Sequence, residues 1–343
     1  MLSYKEIRGK MHGVSEVPQS VIDQIHQERL LQIWVPKMYG GLGFRLREGL
    51  SVLFDWSKID GSLGWMLTLC SGANFFARNL KPEIAKELFS DSKTCFGGSG
   101  MIGGTAEKQT DGTFLMNGLW HFATGAPHLS HFTLNAKLTE NGNPLLDKSG
   151  SEMIRSFVIP KNKTEIIPNW KSMGMKATGT YSFRVENVKI SEEYSFIYDE
   201  FFTDDALDEI PFSIFADLTL LVNYLGMVAH FSEEAIKIRP QLDLHSFNEK
   251  IEKEMERIIE FANEIESLLN DLTTISFEKQ KEIHNYSSNL VESLSHQILE
   301  IYFQLGIKAS HTDSPVYQIF CDYFTATQHS NFRREAKFGL TAQ

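Results

Sequence analysis

Asp111-Gly112-Thr113-Phe114-Leu115-Met116-Asn117-Gly118-Leu119-Trp120-His121-Phe122-Ala123-Thr124-Gly125-Ala126 is the stretch on which the fold turns. Asp-Gly is a hairpin-type turn, and the short apolar run Thr113–Asn117 behind it reads as a strand. His131–Leu138, Met153–Ile159 and Tyr181–Val185 read the same way, and Asn141-Gly142-Asn143-Pro144 supplies another turn. Gly and Thr are frequent throughout. Closely spaced strands with no helix between them exclude a parallel α/β sheet and predict an antiparallel barrel or sandwich.

On both sides of this zone the period becomes helical. Upstream, Pro18 sits near the first turn of a helix carrying Val21, Ile22, Ile25, Leu30 and Leu31. The Pro- and Gly-rich run Val35–Phe44 breaks the chain as a loop. Helices are then predicted over Leu46–Ile59 and Leu63–Ala77, with Asp60-Gly61-Ser62 between them. Downstream, Ile251, Met255, Ile258, Ile259, Ala262 and Ile265 step by three and four, and Leu290, Leu294, Ile298, Ile301 and Leu305 form a second stripe. Apolar helices over Ile214–Ile238 and Val316–Ala336 complete four long helices with short joints, which predicts an antiparallel bundle. The predicted fold class is α+β, mostly α: an N-terminal helical domain over 1–90, a middle antiparallel β-barrel over 91–198 and a C-terminal four-helix bundle over 199–343. A cleft where the β domain meets helical walls is a natural cofactor pocket.

Composition removes several classes of function. The 343 residues are 42% hydrophobic and 22% charged, ordinary globular values. A net charge of −11 argues against non-specific nucleic-acid binding, which needs a basic surface. Cys70, Cys95 and Cys321 are isolated, so they make neither a cysteine-built zinc site nor a disulfide framework and suit a reducing compartment. No apolar run is read as reaching the roughly 18 residues of a membrane span, and the N-terminus has no signal-peptide stretch, so a cytoplasmic protein with no membrane partner is expected. Gly98-Ser99-Gly100-Met101-Ile102-Gly103 is a literal GxGxxG, but strands rather than a helix follow it, so a Gly-rich loop is expected and a dinucleotide fold is not. His128 and His131 lie three apart on a strand, on opposite faces, and predict no metal. The charge run Glu249–Arg257 is a solvated helix face.

Four segments, in order, resemble the acyl-CoA dehydrogenase superfamily. Val35-Pro36-Lys37-Met38-Tyr39-Gly40-Gly41-Leu42-Gly43 is similar to its P-x-x-Y-G-G-x-G loop, and Asn117–Ala126 to its flavin-facing strand, N-G-x-K-x-W-I-T-N-G. Met173-Gly174-Met175-Lys176-Ala177-Thr178-Gly179-Thr180 with Glu186-Asn187-Val188-Lys189-Ile190 resembles L-G-x-x-x-T-G-S … x-D-V-x-V. Gln304-Leu305-Gly306 and Pro315–Asp322 resemble the Q-x-x-G … P-x-x-R-x-x-R-D tail. The resemblance spans nearly the whole chain and implies an acyl-CoA dehydrogenase-like fold holding a flavin, FAD or FMN, in a homo-oligomer, dimer or tetramer. Within the superfamily, Gly118-x-Trp120-x-Phe122-x-Thr124-Gly125 is closer to the two-component flavin-dependent monooxygenase (hydroxylase) branch, G-x-W-x-F-x-S-G, and Ala177–Thr180 and His329 after Cys321-Asp322 agree with it. That branch takes reduced flavin from a separate flavin reductase and oxygenates aromatic small molecules.

The departures sharpen the reading. A dehydrogenase needs a carboxylate base at the substrate's α-proton. One family base position falls in Ala326-Thr327-Gln328-His329-Ser330 and the other near Leu220-Leu221, all without Glu, while Glu233 and Glu234 come too late, after Gly226. The tail arginines are replaced around Gln318 and Cys321, so FMN or loosely held reduced flavin fits better than tightly bound FAD. Asn74 stands where some hydroxylases place a His. On the resemblance, Thr124 and His329 are catalytic, Thr124 bonding at or beside flavin N5 and His329 acting as acid/base, and Trp120, Phe122, Thr124, Gly125 and Gln304 contact flavin. Phe75, Phe96 and Tyr224 are candidates to line a pocket for an apolar or aromatic substrate. Trp120 and Phe122 are expected on one side of their strand. Plainer roles stay open beside these: a cross-strand contact for Thr124, core packing for Trp120 and Phe122, a helix-surface or cap position for His329. Three functions follow: a monooxygenase component, a dehydrogenase acting on an acyl thioester, or a flavin-free paralogue with a binding or scaffold role.

Overall fold

The structure, a computed structural model, describes residues 1–332. Five helices lead the chain: α1 (Tyr4–Met11), α2 (Gln19–Gln27), α3 (Leu46–Ile59), α4 (Gly61–Asn74) and α5 (Pro82–Phe89). A reciprocal capping box between Ser3 and Glu6 starts α1, and Pro82 takes the first turn of α5, where its missing N–H costs nothing. The Asp60 side chain accepts the Leu63 N–H at 2.9 Å and caps α4. Almost every residue of α4 is buried, because it lies between α3, α6 and the sheet.

Strands β1 (Phe96–Lys108), β2 (Thr113–Ala123), β3 (His131–Glu140), β4 (Asn143–Pro144), β5 (Ile154–Pro160), β6 (Glu165–Ile167), β7 (Tyr181–Ser191) and β8 (Ser195–Phe196) form one sheet. Its order is β6-β7-β2-β1-β3-β5-β8, with β4 beside β3. Two corrections to the sequence reading follow. The sheet is open, ending at β6 and β8, and is not a closed barrel. It is also not purely antiparallel, since β1 and β3 run parallel from Phe96↔His131 to Glu107↔Thr139. The cause is topological: the β1–β2 hairpin occupies one edge of β1, and the chain then turns through Thr124–Ser130 and takes the other edge.

The GxGxxG run is a third correction, for it is part of β1 and not a loop. Its glycines let chains approach. A Cβ on Gly98 would stand 1.7 Å from the Thr133 carbonyl oxygen, and one on Gly103 would stand 2.6 Å from the Trp120 ring.

Helices α6 (Phe212–Ile238), α7 (His245–Asn270), α8 (Phe277–Leu305) and α9 (Pro315–Ala326) follow. α7 and α8 run antiparallel, pinned by Lys250 Nζ to Ser293 Oγ and Gln297 Oε1, both 2.8 Å, near one end and by a Lys279–Glu264 ion pair near the other. α6 presses Gly226 against α3, where a Cβ would lie 2.6 Å from Ser57 Cβ. Contrary to the sequence reading, α6 is long and apolar enough to cross a membrane, but 83% of its most apolar window is buried in the protein, as in a core helix. α9 ends at Ala326, ten residues short of the predicted Ala336; His329 lies in the turn that follows, and the part of the prediction beyond residue 332 lies outside the described residues.

Candidate functional site

The end of β2 carries the residues of most interest. Trp120 is fully buried; its Nε1–H donates to the Asn135 carbonyl at 2.9 Å, and its ring stacks on Phe183 at 5.5 Å between centroids. Two residues on, Phe122 is 61% exposed with φ +65°. The expectation that both share one side is overturned by a bulge: the β2–β7 register shifts between Trp120 and Ala123. Left-handed backbone is rare for an aromatic residue and marks a position to explain. The Phe122 ring stands edge-on to Trp170, 6.5 Å away, and next to His121, whose Nδ1 lies 2.8 Å from Ser182 Oγ.

Thr124 turns inward again and is 4% exposed. Its Oγ1 lies 3.0 Å from Thr180 Oγ1, which lies 2.7 Å from Thr178 Oγ1, which donates to the Met175 carbonyl at 2.8 Å. The Trp170 Nε1–H donates to that same carbonyl at 2.8 Å. Gly125 follows at φ +77°, its N–H bonded to the Thr178 carbonyl at 2.8 Å. A side chain there would meet Cys70 Sγ of α4 at 2.8 Å, so Gly is required on two counts. The loop 173–180 is held from behind by α9. A Cβ on Gly174 would stand 2.1 Å from the Cys321 backbone, the Gly174 N–H donates to Thr325 Oγ1 at 3.0 Å, and the Met175 N–H donates to the Asp322 carboxylate.

Asp322 is buried beside Asp60. Burial first, and then the neighbouring Asp60 carboxylate, push its pKa up to about 8; burial raises Asp60 as well. Gln318 bridges toward them, its Nε2 3.1 Å from Asp60 Oδ2.

His329 packs edge-on against Trp65 of α4 at 5.4 Å, and Trp65 in turn meets Tyr224 at 6.0 Å. Tyr224 is buried and donates to the Ala326 carbonyl at 2.6 Å. Beside them Asp217, buried on α6, accepts from Asn331 Nδ2 at 2.7 Å and lies 3.1 Å from His284 Nδ1. Helix α4 thus links the Thr124 loop, which it meets through Cys70 and Met66, to His329, which it meets through Trp65.

The remaining sequence candidates lie apart from that line. Phe75 is buried against Phe215 at 4.9 Å, and Phe96 against Phe89 at 5.0 Å. Gln304 lines a hollow of about 450 Å³ with Arg239, Leu244 and Phe247 at the far end of α8. Asn74 is fully buried and staples three segments, donating to the Leu31 and Thr94 carbonyls and accepting the Phe96 N–H. The sequence reading passed over Trp170, Asp217 and the donor role of Thr178. Only the last had a signal, the Thr-Gly-Thr repeat.

No family model matches the chain. Among curated proteins, the indole-3-acetate monooxygenase of Acinetobacter baumannii is 26% identical over 238 residues, covering 68% of this chain and 58% of that protein. The sequence match therefore spans a little over half of that relative's length. Among solved structures, the HsaA monooxygenase of Mycobacterium tuberculosis superposes with a TM-score of 0.86 at 17% identity, over 99% of this chain and 93% of that one. TdsC from Paenibacillus sp. A11-2, solved with FMN and indole, superposes at 0.79 with 17% identity, over 97% and 93%. The fold is that of these solved structures, the acyl-CoA dehydrogenase-like fold that the sequence motifs imply.

Proposed function

We propose that this chain is the oxygenase component of a two-component flavin-dependent monooxygenase acting on an aromatic or heteroaromatic small molecule. The observation that carries the reading is an exposed aromatic ring, Phe122, on left-handed backbone two residues from a buried hydroxyl, Thr124. A planar tricyclic ring needs such a surface to lie on and a fixed polar atom at its edge, and both are present. Reduced flavin, when bound, supplies the electrons that activate dioxygen, one oxygen going to substrate and the other leaving as water.

The chain's own residues do the rest. Phe122 forms the platform with Trp170 standing edge-on beside it, Gly125 lets the β2 end come close to α4, and Thr124 holds the ring edge. His329, steadied on Trp65, moves a proton at the substrate. Trp120 anchors the strand beneath. A dehydrogenase role is weaker, because the carboxylates near the candidate site are engaged: Glu233 with Arg8 and Lys58, Glu234 with Lys237 and His230, Asp217 with His284 and Asn331, and Asp322 with the Met175 N–H. The proposed units remain 1–90, 91–198 and 199–343, with FMN or FAD at the junction. A separate reductase delivers the reduced flavin, and the oxygenase works as a homo-oligomer in the cytoplasm, where its three free, buried cysteines stay reduced.

The test is a binding and turnover series. Anaerobically reduced FMN and FAD are titrated into the protein, and the complex is then exposed to air with indole-3-acetate or indole. The expected outcome is saturable binding of reduced flavin and one oxygen atom from labelled dioxygen in the product. Absence of any flavin-induced thermal shift, with either flavin in either redox state, would overturn the reading.

A further inference from the structure

We infer that Thr180 and Thr178 are positioning residues that fix the hydroxyl proton of Thr124, so that Thr124 meets a ligand as a hydrogen-bond acceptor and selects the flavin state carrying a proton on N5. The inference rests on the flavin reading above and concerns what sets the polarity of its site.

Counting protons fixes the direction of the hydroxyl chain. Each threonine hydroxyl has one proton to donate and lone pairs to accept with. A carbonyl oxygen only accepts, so the 2.8 Å contact from Thr178 Oγ1 to the Met175 carbonyl uses the Thr178 proton. The 2.7 Å contact between Thr178 and Thr180 then takes its proton from Thr180. The 3.0 Å contact between Thr180 and Thr124 takes its proton from Thr124. The chain has one direction, and at its open end Thr124 Oγ1 retains lone pairs and no proton. Reversing it would set the Thr178 oxygen and the Met175 carbonyl oxygen 2.8 Å apart with nothing between them. In a buried setting, two facing acceptors are penalised strongly.

The anchor is rigid. The Met175 oxygen also receives the Trp170 indole N–H and, at 3.3 Å, the Thr178 backbone N–H, while the Met175 N–H is held by Asp322. All three threonines are buried, so water does not compete for their protons.

An oxidised isoalloxazine presents N5 as a bare acceptor; the reduced ring presents N5–H as a donor. An acceptor-only Thr124 pairs with the second and repels the first. The hydroxyl chain therefore favours capture of the reduced ring and release of the oxidised one.

The experiment measures dissociation constants for reduced and oxidised FMN, anaerobically, on the wild type, Thr180→Val, Thr180→Ser and Thr178→Val. The wild type is expected to bind the reduced form more tightly. Thr180→Val, close to isosteric, frees the Thr124 proton and should lower the reduced-to-oxidised preference about tenfold, the effect of one buried hydrogen bond. The same change read as the midpoint potential of bound flavin is about 30 mV for a two-electron couple. Thr180→Ser keeps a hydroxyl and should restore the ratio. If Thr180→Val fails to fold, Thr178→Val breaks the chain one link farther from the ligand and should lower the ratio in the same direction. A wild-type ratio in every folded valine variant would overturn the inference while leaving the flavin reading intact. No binding of either form by the wild type would overturn both.

Discussion

Replacing Phe122 by Gly and, separately, by Ala separates the backbone's need from the ring's. Phe122 holds φ +65° with a ring that is 61% exposed. An L-residue in the left-handed region costs roughly 1–2 kcal/mol, and Gly does not bear that cost. Gly adds roughly 0.5–1 kcal/mol of unfolded-state entropy relative to Ala. Both substitutions lose the same contacts with Trp170 and His121, so those cancel in the comparison. From the middle of those ranges the Gly variant should be the more stable of the two by about 0.8 kcal/mol, roughly 1 °C in melting temperature for a chain of this size. In an ordinary strand the sign is opposite, with Ala ahead of Gly by about the same amount. Thermal and urea unfolding read the stability, and anaerobic titration with reduced FMN reads the function. Both variants are expected to lose flavin affinity at least tenfold through loss of the ring face. An Ala variant as stable as the Gly variant would refute the strain argument, and unchanged flavin affinity in both would remove Phe122 from the platform.

Two further changes probe the scaffold behind the site. Asp322 has its pKa raised from 3.8 to about 8, so the native state holds a proton that the unfolded chain releases across that window. Its contribution to stability is complete below the unfolded value and is lost as pH rises through about 8, a sign set by burial and by Asp60, with His230, Arg8 and Lys176 as the other charges facing the pair. Asp322→Asn should flatten the decline in melting temperature between pH 5 and pH 9 and cross above the wild type at the alkaline end; parallel curves would refute the assignment. Asn74→Ala strands two carbonyls and one N–H in the interior. It should cost at least about 3 kcal/mol by urea unfolding, since each of the three orphaned groups costs roughly 1–3 kcal/mol. A loss below about 1 kcal/mol would show that the site relaxes or admits water.

The sequence was most legible where one period governs a whole element. The pattern over Leu46–Ile59 predicts the helix with the bounds it has, because an amphipathic run ends at Asp60-Gly61. The strands at Thr113, His131 and Tyr181 begin where apolar runs leave turns, although each extends beyond the segment that its apolar run predicts. The Gly98–Gly103 run reads as a loop because glycines carry no side-chain pattern; the close approach of the Thr133 carbonyl to Gly98 and of the Trp120 ring to Gly103 is visible only in the structure. The parallel β1–β3 pairing has no local signal, since it follows from which edge of β1 the hairpin has already taken. α1 was missed although Ser3-x-x-Glu6 spells its capping box. At the site, the pattern around Thr124 was visible, but Thr180 is 56 residues away, and a hydroxyl chain is a property of contact rather than spacing.

Strict alternation would put residues 120, 122 and 124 on one face of the sheet and give them one environment. The bulge after Trp120 breaks that rule within five residues. Trp120 stays inside, locked by the Asn135 carbonyl and by Phe183. Phe122 is turned out to the surface, and Thr124 returns inward onto Thr180. Anchor and platform are thus two residues of β2 and the acceptor is the first residue of the turn that follows, with one register shift between Trp120 and Ala123. Without that shift Phe122 would compete with Trp120 for the trough lined by Gly103, Gly104 and Gly118, where even a methyl group on those glycines would lie within 2.8 Å of the indole. The left-handed backbone at Phe122 is the local consequence of fitting a second aromatic residue beside a core that has room for one.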